Sequence, residues 1–324
     1  FMIGACLSQG RAQTKSAVSY NNPVVDIAMP DPTVIKAADG YFYVYATEST
    51  RNVPIMKSKD LVEWTYCNTA FTNKTRPRFE PKAGIWAPDI NYINGKYVLY
   101  YAMSVWGGEQ TCGIGVATAN SPQGPFTDHG KMFRSNEIGV QNSIDPSLLQ
   151  YEGRNYLVWG SFRGIYVIEL TADGLSIMSG AKKKRIAGTA FEAVYIHKHG
   201  DYYYMFASIG SCCQGVKSTY KVVVGRSKKV WGPYKDKTGK PMLKNGYSLV
   251  IGANDHFVGN GHGSQIIQDD AGQDWLLYHG FSRSTPENGR ILLLDQIKWD
   301  QEGWPYVEGG SPSYETQKAP VFNN

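Results

Sequence analysis

The chain has 324 residues, 42% of them hydrophobic, with 33 Lys and Arg against 28 Asp and Glu for a formal charge of +5. This is enough apolar material for one large all-β domain or two smaller ones, and the charge is too modest and scattered to point to nucleic acid. No apolar run approaches the length of a bilayer-spanning helix, while 22 Tyr, 12 Phe and 8 Trp suit twisted sheets and a ligand that stacks on rings.

Residues 1–22 read as a signal remnant and linker, and 23–324 as a single domain. The opening Phe1-Met2-Ile3-Gly4-Ala5-Cys6 is apolar and ends in small residues and a Cys. It resembles the end of a bacterial lipoprotein signal with Cys6 acylated, which implies export to the cell envelope or medium, with a lipid tether.

From there the chain repeats a hairpin five times, each with a β-rich run, a turn containing Gly, and an aromatic second run. The first is Asp31-Pro32-Thr33-Val34-Ile35, Gly40 and Tyr41 to Tyr45; the second Asp89 to Ile93, Gly95 and Tyr97 to Tyr101. The third is Asp145 to Leu149, Gly153 and Tyr156 to Trp159; the fourth Glu192 to Ile196, Gly200 and Tyr202 to Ser208; the fifth His262 to Ile266, Gly272 and Trp275 to Tyr278. Further strand-like runs lie between the hairpins, such as Val53 to Lys57, Ile114 to Ala119 and Val222 to Ser227, with Gly124-Pro125-Phe126 echoed by Gly232-Pro233-Tyr234. Four strands per unit at this spacing predict an all-β, five-bladed β-propeller, with blade one running from about Val24 to Trp64. The basic run Lys182 to Arg185 reads as a solvated loop between blades three and four.

In a propeller the innermost strands line the axis, so Asp31, Asp89, Asp145, Glu192 and His262 are expected to converge there at equivalent positions. Crowded carboxyl groups push one another's pKa values apart, which is how one acid and one base are prepared at a single pH. Asp-Pro before a strand is by itself a common turn former, and it is the recurrence that argues for a site. Trp86, three residues before Asp89, is a platform for a sugar ring or a core residue; Ser161 and Phe162 fall in a loop at the same mouth. Glycines beside His262 allow close approach of a ligand or ion. Of the cysteines, adjacent Cys212-Cys213 form either a vicinal disulfide at the mouth or two thiols, and no spacing matches a zinc site.

Asp31-Pro32, Trp86-Ala87-Pro88-Asp89-Ile90, Ser143-Ile144-Asp145-Pro146, Phe191-Glu192-Ala193 and Gly259-Asn260-Gly261-His262 together resemble glycoside hydrolase family 43. The block from Cys212 to Tyr220, with Val224-Gly225-Arg226-Ser227, is similar to the endo-1,5-α-L-arabinanase branch. The resemblance implies inverting hydrolysis of arabinofuranosidic bonds in arabinan by a monomer, with Asp31 as general base, Glu192 as general acid and Asp145 tuning Glu192. It also implies Ca2+ on the axis near His262 and leaves Asp89 a structural hydrogen bond. Pro30 stands where such enzymes usually have His, Val194 where they have Pro, and Gly263 where they have Asn. These departures bear on the mode of attack, so an exo-acting α-L-arabinofuranosidase or β-xylosidase is the alternative, and a non-catalytic carbohydrate-binding propeller the third reading.

Overall fold

The computed structural model describes residues 17–323, so the proposed acylation at Cys6 lies outside the described residues. Five antiparallel sheets stand around one axis as the blades of a propeller. Blade one is Thr33–Lys36, Phe42–Tyr45, Pro54–Ser58 and Trp64–Thr69; blade two is Gly84–Ile93, Lys96–Ser104, Gly113–Ala119 and Thr127–Arg134. Blade three comprises Ser147–Tyr151, Arg154–Trp159, Ile165–Glu169 and Lys184–Ala187, and blade four Glu192–His199, Tyr202–Ile209, Lys221–Ser227 and Ser248–Ile251. Blade five is built on Phe257–Gly261, Asp274–Ser282 and Ile291–Trp299, and its outer strand is Val25–Ala28.

That last strand corrects the expected boundary of blade one. Val25 pairs with Leu292 and Ala28 with Ile291, so the start of the domain closes the ring on its end. Nor are the described residues before Val25 a linker. Tyr20 is buried with its hydroxyl donating to Leu294 O at 2.8 Å, and the Asn22 amide donates to Leu294 O and accepts from Leu294 N, acting as an extra rung of strand pairing. The basic run is not all loop either, because Lys184 and Arg185 open the outer strand of blade three.

The core lies between the blades rather than inside a single sandwich. Alternation sends neighbouring residues of each strand to opposite blades: Leu99 and Tyr101 pack on blade one with Tyr43, Tyr45 and Ile55, whereas Val98 and Tyr100 pack on blade three with Leu157, Trp159 and Ile168. Each of the other three boundaries has an equivalent cluster. Fully burying one such side chain contributes about 1.5–3 kcal/mol, and no blade can do so alone.

The register within the blades differs from the expected alignment. Thr33 pairs with Tyr45, Asp89 with Tyr100, Ser147 with Val158 and Tyr195 with Phe206. The residues two places earlier, Asp31, Ala87, Asp145 and Ala193, have positive φ of 53°, 42°, 56° and 53°, and His262 in blade five has 52°. This left-handed kink marks the true repeat. Asp31, Asp145 and His262 occupy it, Glu192 precedes it by one residue, and Asp89 lies two residues deeper along its strand.

Candidate functional site

The kink turns Asp31 toward the axis at the end where the innermost strands begin. Its carboxylate is enclosed: Oδ1 accepts from Arg290 Nη1 at 2.7 Å and lies 3.2 Å from His262 Nδ1, while Oδ2 accepts from Thr47 Oγ1 at 2.6 Å. Thr47 is fixed in turn by the Ala87 N–H at 2.7 Å. Burial works to raise the Asp31 pKa, but Arg290 and His262 outweigh it and hold the carboxyl well below its ordinary range. His279 also touches Asp31, yet its Nδ1 accepts the Asp31 backbone N–H at 3.0 Å. It is therefore unprotonated there, and burial keeps its pKa down at about 4, so it is a neutral support rather than an ion-pair partner.

Glu192 and Asp145 are shifted the other way. Glu192 is raised by burial, against the opposing pull of Ser161 Oγ, which donates to Oε2 at 2.6 Å, and Tyr220 OH, which donates to Oε1 at 2.5 Å. Asp145 is pushed up to about 8 by burial and by the neighbouring Glu192 charge, while its Oδ2 accepts the Ala193 N–H at 3.2 Å. Burial and mutual repulsion make both carboxyls harder to ionise, and the two titrate as a pair. Asp31 is thus driven toward the charged form and the Asp145–Glu192 pair toward the protonated one, the separation an acid–base mechanism requires.

These groups face a cleft of ≈ 620 Å³ in which Asp31, Asp145, Glu192, His262 and Arg290 are all exposed to the interior. Such a volume suits an oligosaccharide segment. Trp86 lines the cleft and packs on Trp106, with ring centroids 5.5 Å apart, and Trp106 is 79% exposed. Phe162 lines it as well, and the adjacent cysteines form a vicinal disulfide on the rim. Ser161 lines the cleft too, buried, with its hydroxyl donated to Glu192 so that it orients the acid.

Asp89 does not join the group. It faces a smaller axial cavity of ≈ 20 Å³ below, separated from the cleft by Asp145 and His262, which line both. Its carboxyl accepts from Gln265 Nε2 at 2.6 Å, Asn91 Nδ2 at 2.7 Å and Leu148 N at 2.8 Å, tying together blades five, two and three. Burial still pushes it up to about 7. The cavity has room for an ion but not for a full hydration shell, and Thr33, Asp89, Asp145, Ser147 and Gln265 line it beside His262. Two buried carboxyls with hydroxyl and amide oxygens around a space of this size are the donor chemistry of a hard cation such as calcium.

The residues that sequence reasoning missed are the partners: Thr47, Arg290, His279 and Tyr220. Thr47 had a local signal, because it lies across the first hairpin from Asp31 in the same pairing that joins Thr33 to Tyr45, and Tyr220 ends the block that begins at Cys212. Arg290 lies 259 residues from Asp31 and belongs to no motif.

The sequence model of the family described as Glycosyl hydrolases family 43 matches residues 20–305. The chain is 36% identical to an extracellular exo-α-(1→5)-L-arabinofuranosidase of Cellvibrio japonicus, with 86% of each covered. It is also 36% identical to extracellular endo-α-(1→5)-L-arabinanase 1 of Bacillus subtilis, with 85% of this chain and 86% of that one covered. Among solved structures, the α-L-arabinanase of Cellvibrio cellulosa complexed with arabinohexaose superposes with a TM-score of 0.79 at 33% identity, covering 88% of this chain and 96% of that one.

Proposed function

The chain belongs to glycosyl hydrolases family 43 and is a glycoside hydrolase, and on that premise we propose that it cleaves α-1,5-L-arabinofuranosidic bonds of arabinan with inversion, Asp31 acting as base and Glu192 as acid. The observation that carries this reading is the arrangement of one cleft, with Asp31 bound by Arg290, His262 and Thr47 on one side and Glu192 bound by Ser161 and Tyr220 beside Asp145 on the other. The first set of partners favours the charged carboxylate, while burial drives the second pair toward the protonated form. Blades one and four are not adjacent in the ring, so a sugar and a water can lie between their carboxyls, as inversion requires at a separation of about 6.5–9.5 Å.

Asp31 removes a proton from the water as its oxygen attacks the anomeric carbon. On the opposite face the bond from that carbon to the bridging oxygen breaks, and that oxygen takes the proton from Glu192. Ser161 and Tyr220 stabilise the carboxylate left on Glu192, and Asp145 keeps the pair's proton affinity high enough for the next turnover. A calcium ion in the axial cavity beside His262, held by oxygen atoms of Asp89 and its neighbours, would supply positive charge on the axis; the chain's own side chains move every proton. The extracellular placement of the two relatives supports export.

Replacing Glu192 by Gln should lower kcat/KM on linear arabinan by about 10²–10⁴-fold while leaving arabino-oligosaccharide affinity measurable by calorimetry. Turnover within a few-fold of the parent would remove Glu192 from the mechanism, and absence of turnover in the parent would identify a binding propeller. Identity to an exo-acting relative equals that to an endo-acting one, which keeps attack from the chain end as a second reading. Oligosaccharide ladders from linear arabinan support internal cleavage, whereas arabinose alone assigns exo action.

A further inference from the structure

At the other end of blade four from Glu192, the inner strand presents His197 and His199 on the face that packs against blade five. They share that face with Tyr195, whereas Val194 and Ile196 pack toward blade three. Two residues apart on a strand, both imidazoles point the same way. Asp274, at the start of the facing strand of blade five, points back at them.

We propose that His197, His199 and Asp274 form a site for a divalent transition ion of the zinc class, clipping blade four to blade five. One ligand atom from each lies within 4.8 Å of the others. Zinc bonds of about 2.0–2.2 Å to nitrogen and oxygen need somewhat shorter ligand separations, so small side-chain rotations would close the site. Two imidazoles and one carboxylate suit zinc rather than calcium, and water would complete the tetrahedron. Asp274 is 4% exposed, while both histidines are half-buried, which leaves a route for the ion.

The surroundings orient the three groups as supports of a metal site do. Trp299 Nε1 donates to Asp274 Oδ2 at 2.8 Å and Gln268 Nε2 to Oδ1 at 3.2 Å. The His199 ring lies flat on Trp299, with centroids 3.7 Å apart and an interplanar angle of 8°. His199 Nδ1 is 3.6 Å from Asp274 Oδ2, too far for a direct hydrogen bond and with room for both to turn toward a shared ion. No Lys or Arg forms an ion pair with Asp274 among the described residues, and Lys198 between the histidines lies over the Tyr203 ring.

Calorimetric titration of chelator-treated protein with zinc chloride tests the site. The parent should bind one zinc with micromolar affinity, and its melting midpoint should rise by roughly 5 °C at a hundredfold excess over Kd. The double variant His197→Gln/His199→Gln should lose both effects while hydrolysing arabinan at the parental rate. Absence of stoichiometric binding in the parent would overturn the proposal. So would unchanged binding in the double variant, which would place the ion elsewhere, including the axial cavity at His262. Because binding and melting are read without substrate, this outcome is independent of the proposed activity.

Discussion

Replacing Tyr220 by Phe removes one hydroxyl from the acid side of the cleft and leaves the ring in place. That hydroxyl donates to Glu192 Oε1 at 2.5 Å, and Tyr220 is buried with its ring 5.6 Å from that of His279. A hydrogen bond to a charged acceptor is worth about 1.5–3 kcal/mol, all of it favouring ionised Glu192. At about 1.36 kcal/mol per pKa unit, its loss raises the titration of the Asp145–Glu192 pair by about 1–2 units. The sign follows from the role: the enzyme is competent while the pair holds its proton, so the alkaline limb of kcat/KM against pH should move upward by that amount. The same hydroxyl stabilises the carboxylate that forms as the proton leaves, so the plateau should fall by about tenfold, a fraction of the full bond energy. The assay is kcat/KM on linear arabinan across the pH range, with the melting midpoint as a check that the fold survives. An alkaline limb that stays fixed or moves down in a folded variant would refute the assignment of that limb to Glu192 and its partner.

Asn22→Ala tests ring closure: Leu294 O keeps the Tyr20 hydroxyl, but Leu294 N loses its acceptor at 2.8 Å and is left buried and unpaired. The cost should be about 1–3 kcal/mol, read as a lower urea midpoint at unchanged slope. Trp106→Ala removes the outer member of the aromatic pair on the rim; KM for arabinan should rise by roughly 2–10-fold, with kcat and melting unchanged, as expected for stacking energies of about 0.5–1.5 kcal/mol at an exposed ring. An unchanged KM would mean that substrate passes the other side of the rim.

Much of the architecture was legible in advance because its causes are local. Aromatic and β-branched alternation makes strands, Gly at the turns makes hairpins, and five such units of similar spacing have one common way to bury both faces of each sheet. The left-handed kink that sets the true repeat was not legible, since Ala87 and Ala193 carry it in two blades and advertise nothing. Aligning the repeats on the nearest polar residue puts Asp89 level with Asp31, whereas it sits deeper and serves as a joint between blades.

The chain alone therefore specified five blades and the acids and His near the axis, because hairpin pairing and side-chain alternation act over a few residues. Only the folded molecule decided which carboxyl is driven toward the charged form and which pair toward the protonated one. Those outcomes depend on Arg290 reaching Asp31 across 259 residues and on Tyr220 and Ser161 meeting Glu192 from other strands. Burial and Coulomb interaction depend on distance in space, and the order of residues does not encode that distance until the ring has closed.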